Sequence, residues 1–365
     1  MSTSENMHID AESAVTRVFD LLFTNMGPHD PLLSHMDARE LLAFSQTCGA
    51  LYSLVKTTAF NLPRLLSPFF GHATEVDRFR RMQLQTGTLI SGGIALQFFH
   101  RLRWLGADLD LYVHGPTAAP AVRFLVSNGY KYNPRASQLR EVFQQIAVDP
   151  IHPDRDPDLP PGYKRGIVDV LDFSKGDKKI QLIIAAQTPM QIIMKFHSTC
   201  VMNVISHEKA YALYPSSTFI AHEALILKSA GSGPESTSSR EAGRQKYIDR
   251  GWSMVKQPSA VREELEHNVV RWMGDHFTWT IPLPPLLVPV PDLCALNSWC
   301  IEPSPESAEM SCEVFSYAGL QFNYIKAVED RVYYYSAMKK LRSSGAPTPL
   351  DAQLAQVVTG LRLTL

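Results

Sequence analysis

The run Leu89-Ile-Ser-Gly-Gly-Ile-Ala, continuing to Asp108-Leu-Asp-Leu-Tyr-Val113, constrains the fold of this chain more than any other segment. Thr88 to Ser91 has the make-up of a short strand, and it runs into Gly92-Gly93. A helix is expected next, with Ala95, Phe98, Phe99 and Leu102 on one side. Residues 108–113 alternate polar and apolar, the period of a half-buried strand. Asp108 and Asp110 then point to one face, and Leu109, Leu111 and Val113 point the other way, into a core. Paired glycines let a phosphate approach the backbone, and the N-terminus of the following helix favours an anion. Two carboxylates at this spacing can share a divalent cation, which can grip a triphosphate. Taken singly, Gly-Gly is an ordinary tight turn and Asp-x-Asp an ordinary solvated strand face. Their order, with one helix between them, makes the combination informative.

That order resembles the nucleotidyltransferase superfamily, which includes aminoglycoside adenylyltransferases and polymerase-beta-like enzymes. Its hallmark is Gly-Gly or Gly-Ser after a hydrophobic residue, then a helix, then a strand bearing Asp-x-Asp. The resemblance covers about residues 86–185 and extends toward 228. It implies that Ser91, Gly92 and Gly93 hold the phosphates of a nucleoside triphosphate and that Asp108 and Asp110 bind Mg2+. The family also uses a third carboxylate on a nearby strand. Here that strand matches Lys179 to Ile184, and the position reads Gln181, which is neutral and cannot deprotonate a hydroxyl. Asp169 and Asp172, on the preceding strand, are the substitutes within reach. Arg101 and Arg103, with His100, either neutralise phosphates or form an ordinary basic helix end. The basic cluster Arg78, Arg80 and Arg81 reads as a solvated helix face before it reads as a nucleic-acid contact.

The N-terminal residues 12–56 read as helices. Asp37 and Glu40 have capping-box spacing, and Leu41, Phe44, Cys48, Leu51 and Val55 form one apolar helical stripe that Gly49 weakens without breaking. The segment 32–55 resembles the second half of an F-box, which implies an adaptor of cullin-type ubiquitin ligases as partner. The leading Leu-Pro of that module is absent. The segments 195–215 and Lys246 to Trp252 resemble stretches of fungal proteins that pair the two modules.

Elsewhere, helices are expected over 117–128, 136–147, from Thr188-Pro189 to about Ser206, 240–250, 258–274 and 328–342. Ile167–Phe173 and Lys179–Ala185 form a hairpin, and short strands fall within 311–326. Residues 149–166, with five prolines and four aspartates, read as an exposed loop, and 229–243 as a mobile Ser/Gly-rich connector. The expected architecture is α+β. A helical module over 1–60 precedes a mixed-sheet nucleotidyltransferase-like core over 61–228, and a helical and irregular region follows over 229–365.

The net charge is -1, so any polyanion site has to be local. Five cysteines, an odd number without CxxC spacing, suit a reducing compartment and structural thiols rather than a zinc site. His197 and Cys200 could hold one edge of a metal, but no second pair matches them. The start lacks the features of a secretory signal, no apolar run reaches membrane-span length, and an intracellular protein is expected. No GxSxG elbow supports serine hydrolysis.

Overall fold

A computed structural model describes residues 33, 35–147, 166–228, 234–259, 262–286, 292–304 and 307–362. The chain forms two compact units, Met1–Asn61 and Leu62–Leu365. The chain is a mixed α+β architecture, with helical segments toward the two ends and a central β-sheet. Of the expected loop over 149–166, all but Gly166 lies outside the described residues.

In the first unit, α1 (Ala38–Ser45) carries the expected capping box. Asp37 accepts from the Glu40 amide and Glu40 accepts from the Asp37 amide, both at 2.8 Å. The single stripe to Val55 does not form. Cys48 is extended, with φ -159°, and a second helix, α2 (Gly49–Thr58), starts after it. Glycine at the first helical position costs little, whereas in a helix interior it costs about 1 kcal/mol, so the chain breaks where the sequence is weakest.

The second unit opens with α3 (Leu62–Phe70) and α4 (Ala73–Thr86). Next come β1 (Leu89–Ser91), α5 (Gly93–His100), β2 (Leu109–His114) and α6 (Ala118–Ser127). They are followed by β3 (Lys131–Tyr132), α7 (Val142–Ala147), β4 (Ile167–Lys175) and β5 (Lys178–Ala185). The expected hairpin is β4–β5. Then come α8 (Pro189–Ile193), β6 (Asn203–Ile205), β7 (Lys209–Ala212), α9 (Pro234–Ile248) and β8 (Trp279–Pro282). Two helices, α10 (Arg331–Ser343) and α11 (Asp351–Arg362), lie near the C-terminus.

These strands make one eight-stranded sheet in the order β8-β7-β6-β1-β2-β5-β4-β3. The β2–β5 pair is parallel and the other pairs are antiparallel. Leu109, Leu111 and Val113 are fully buried on one face of β2, as their alternation required. Beneath the sheet, Phe70 stacks on Phe79 with centroids 4.8 Å apart, and Phe124 closes on Phe70 edge-on at 5.4 Å. Burying such a ring is worth about 2–3 kcal/mol, and this cluster locks α3, α4 and α6 together.

Several elements differ from their sequence readings. The helix expected over 188–206 ends at Ile193, because Asn203–Ile205 is drawn into the sheet between β1 and β7. A short, wholly buried strand has no polar alternation to reveal it. The helix expected over 136–147 shrinks to α7. That expected over 258–274 is instead a 3-10 turn at Glu263–Leu265 and a strand at Arg271–Trp272. Part of the connector expected to be mobile is the first half of α9. Residues beyond 229 do not stand apart from the sheet: β8 pairs with β7 from Trp279↔Ala212 to Pro282↔Lys209 and closes that edge. Pro282 removes a ladder donor where an outermost strand tolerates it.

Among the described residues, no helix is long and apolar enough to cross a membrane. Cys200, Cys294 and Cys300 are buried free thiols, and Cys312 is half-buried and free. Burial raises the Cys294 thiol well above its ordinary value, and the Asp292 carboxylate adds to the shift.

Candidate functional site

Two glycines and two aspartates meet in one cleft of ≈ 470 Å3. Gly92 ends β1 and caps α5 with φ 68° and ψ -137°, a conformation essentially restricted to glycine. A β-carbon there would stand 3.1 Å from Asp110 Oδ2, so the turn and the strand approach as closely as a missing side chain permits. Asp108 lies one residue before β2 and is exposed, whereas Asp110 lies within the strand and is half-buried. Both face the cleft beside the glycine turn.

Asp110 is under electrostatic stress. Burial, followed by the like charge of Asp108, pushes its carboxyl up to about 7, and Lys246 across the cleft pulls the other way. The pair offers only hard oxygen donors. Magnesium asks a protein for one or two carboxylates and completes its shell with water and phosphate oxygens. Among the described residues no third His, Cys, Asp or Glu joins a metal-binding group. The donor set therefore suits a cation that arrives with a polyphosphate, not one caged by protein alone.

Register places the expected third position. Asp110 pairs with Gln181 across the parallel β2–β5 ladder, and Gln181 pairs with Asp172 across β5–β4. The three side chains form a row on the cleft face of the sheet. Gln181 lines the cleft and donates to Asp172 Oδ1 at 2.9 Å, and Arg135 Nε stands 3.7 Å from the other oxygen of Asp172. Asp172 is thus two strands from the acidic pair, with β5 between, and already engaged. Asp169 lies on the opposite face of β4. There it is buried, and it accepts from Gln138 and Gln145 at 2.7 Å each. It cannot stand in for a cleft carboxylate.

The remaining expected phosphate ligands are not brought together. Ser91 is fully buried and donates to the Asn203 carbonyl at 2.6 Å. Arg103 donates to the Arg64 carbonyl, and burial, with Arg64 nearby, lowers the Arg101 pKa. Neither arginine lines the cleft.

Its cations come from α9 and the residues around it: Lys195, Arg240, Lys246 and Arg250. Arg240 is committed to structure. It donates to the carbonyls of Lys195, Phe196 and Leu227 at 2.8, 3.0 and 2.8 Å, pinning α9 against the segment after α8. Arg240 and Lys246 lie on α9, Arg250 two residues past its end and Lys195 two residues past α8. His197, also in the lining, is held neutral. Burial, then the positive charges of Arg240, Arg244 and Lys246, push its imidazole down to about 3. Its ring packs so tightly on α9 that a β-carbon at Gly243 would lie 2.8 Å from Cδ2. Apart from His197, this wall was unassigned from sequence. The signal was present as Arg240, Gly243, Lys246, Tyr247 and Arg250, which recur on one side of a helix at spacings of three and four.

An aromatic corner completes the cleft. Trp104 comes from the loop between α5 and β2, where its amide donates to Gln97 Oε1 at 2.7 Å. Gln97 in turn donates to the Gly93 carbonyl at 3.2 Å, so one buried side chain ties the Trp104 loop to the glycine turn. Arg250 lies 3.8 Å over the Trp104 ring, and Tyr247 meets that ring edge-on at 6.3 Å.

Compared with known proteins, the chain matches no family model, no curated protein and no solved structure. The functional reading therefore rests on the cleft itself.

Proposed function

We propose that this protein is nucleotidyltransferase-like and binds a nucleoside triphosphate with magnesium in the cleft between the acidic pair and α9, with binding rather than rapid turnover as its main property. One observation carries the reading: a glycine-only turn capping a helix lies in contact range of Asp110, while Lys246 and Arg250 face the same cavity. The Gly92-Gly93 turn offers backbone amides and the positive end of α5 to phosphate oxygens. Lys246 and Arg250 supply the counter-charge that a triphosphate needs. Asp108 and Asp110 would hold the magnesium, which would supply charge neutralisation for the phosphates. Without a cation, two carboxylates would repel the ligand.

In-line transfer to an acceptor hydroxyl also needs a group to take the proton. Gln181 has no such capacity, and Asp172 is held by Gln181 and Arg135. These positions support slow transfer at most.

Titration calorimetry with and without magnesium tests the proposal. Triphosphate binding is expected only with the cation, and Asp108→Asn combined with Asp110→Asn should remove it while leaving the fold intact. Absence of nucleotide binding under both conditions would leave the cleft without this function.

A further inference from the structure

We infer that the deep end of the cleft, around Tyr112, Ile192 and Phe196, is a nucleobase subsite that holds the base by stacking and burial without discriminating among bases. The inference rests on the triphosphate reading and adds to it where and how the base is held. Register, lining and polarity carry it.

Register separates two ends of the cavity. Leu89 pairs with Tyr112 and Ile90 with Leu111 across β1–β2, so the glycine turn that follows Ser91 lies level with Asp110. Tyr112 points to the same face as Asp110, one strand period further on, about 7 Å away. Across β2–β5 the partner of Asp110 is Gln181 and that of Tyr112 is Ile183. The floor of the cleft thus passes from polar to apolar in a single step. The aromatic residues Trp104 and Tyr247 belong to the first end. Gln97 ties the Trp104 amide to the Gly93 carbonyl, and the Tyr247 hydroxyl lies 3.6 Å from where a β-carbon on Gly93 would stand. Phosphates at the turn fill that end, which leaves the deep end for the nucleoside.

The lining there is a hydrophobic cluster that opens onto the cavity. Tyr112, Ile167, Ile183 and Ile192 are buried together, and the half-buried Phe196 packs against them. All but Ile183 line the cleft. The Phe196 and Tyr112 rings lie 5.8 Å apart, tilted at 59°. A planar base set against Phe196 covers apolar surface that the fold leaves partly open, and a stack on an aromatic ring is tolerant of which base it holds.

Polarity at this end gives no fixed code. Ile167, Ile192 and Phe196 carry no hydrogen-bonding side-chain groups. The Tyr112 hydroxyl serves as donor or acceptor. Lys195 is the charged side chain here, and an ammonium on a flexible stem offers donors without the fixed fork of a guanidinium. Every base has a ring nitrogen or carbonyl oxygen to meet such a donor.

Titration calorimetry on the full chain compares the magnesium complexes of ATP, GTP, CTP and UTP with that of inorganic tripolyphosphate. The four nucleotides should bind at least about fivefold more tightly than tripolyphosphate, the low end of one base–aromatic stack, and within about fivefold of one another. Phe196→Leu keeps an apolar side chain and removes the ring. It should reduce the nucleotide advantage to about twofold or less and leave tripolyphosphate affinity within about twofold, whereas Phe196→Tyr should retain the advantage. The triphosphate of 2-aminopurine riboside should lose emission on binding to the wild type and much less on binding to Phe196→Leu. Nucleotides no tighter than tripolyphosphate, a wider spread among the bases, or an advantage and a quenching that Phe196→Leu leaves intact overturn the inference while triphosphate binding stands. If neither nucleotide nor tripolyphosphate binds, the triphosphate reading falls and takes the inference with it.

Discussion

Gly92 and Asp110 sit so close that a β-carbon on the first would stand 3.1 Å from Oδ2 of the second. Gly92→Ala therefore faces two penalties, a left-handed backbone conformation and a contact with a half-buried carboxylate. We expect a loss of roughly 2–3 kcal/mol in stability, read as a fall in melting temperature, and a loss of magnesium-dependent triphosphate binding in whatever fraction stays folded. Gly93→Ala is the comparison. Its added carbon would meet the Tyr247 hydroxyl at 3.6 Å, an ordinary contact, so it should fold normally.

The Asp110 carboxyl sets a pH dependence of known sign. Its folded pKa of about 7 lies above the ordinary value of 3.8. The folded state thus holds the proton more tightly, and the resulting stability is fully present below the unfolded pKa and is lost as pH rises through 7. The ceiling is about 4 kcal/mol, reduced by solvent access to the cleft. Asp110→Asn should match the wild type near pH 4 and melt at a higher temperature near pH 8. Parallel melting curves for the two proteins across this range would remove Asp110 as the cause.

Gln181→Asp would place a carboxylate in the row between Asp110 and Asp172. The Gln181–Asp172 hydrogen bond is lost and two like charges face each other, with Arg135 offsetting part of the repulsion. We expect about 1–2 kcal/mol of destabilisation at neutral pH and a gain in nucleotidyl transfer over the wild type, measured with labelled triphosphate. No rate change would mean that a base at 181 is not what limits transfer.

Arg240 ties three carbonyls to α9. Arg240→Ala leaves them without a donor and should cost about 3 kcal/mol, and limited proteolysis should then cut within 234–250. Arg240→Lys should rescue little, because one ammonium lacks the planar spread of a guanidinium. Protease resistance equal to wild type in both variants would contradict the clamp.

The N-terminal unit yields a negative expectation. Without a leading Leu-Pro, segment 32–55 should form no stoichiometric complex with a cullin-ligase adaptor in a co-purification experiment. A tight complex that is lost on deleting residues 12–56 would reverse this.

The acidic half of the cleft was legible because its signals are local. A glycine turn, a period-two strand and the hairpin that presents Gln181 and Asp172 are each contained in a few consecutive residues. The basic half was not. Lys246 sits on a polar helix, and Arg250 just past its end, with no apolar stripe to announce a buried partner, and their relation to Asp110 spans some 140 positions of chain. Asn203–Ile205 was hidden for a different reason, since a fully buried strand and a buried helix segment look alike in composition. Cys48 shows the limit of periodicity: the spacing of apolar residues continued across a break that backbone geometry imposed.

The edge strand Trp279–Pro282 has a consequence for how the molecule comes into being. A ribosome that has released residues 62–228 has delivered the glycine turn, both aspartates and seven of the eight strands, but neither Lys246 nor Arg250. The eighth strand arrives later still. During synthesis, then, the cleft's acidic wall is complete before the basic residues Lys246 and Arg250 that face it have emerged.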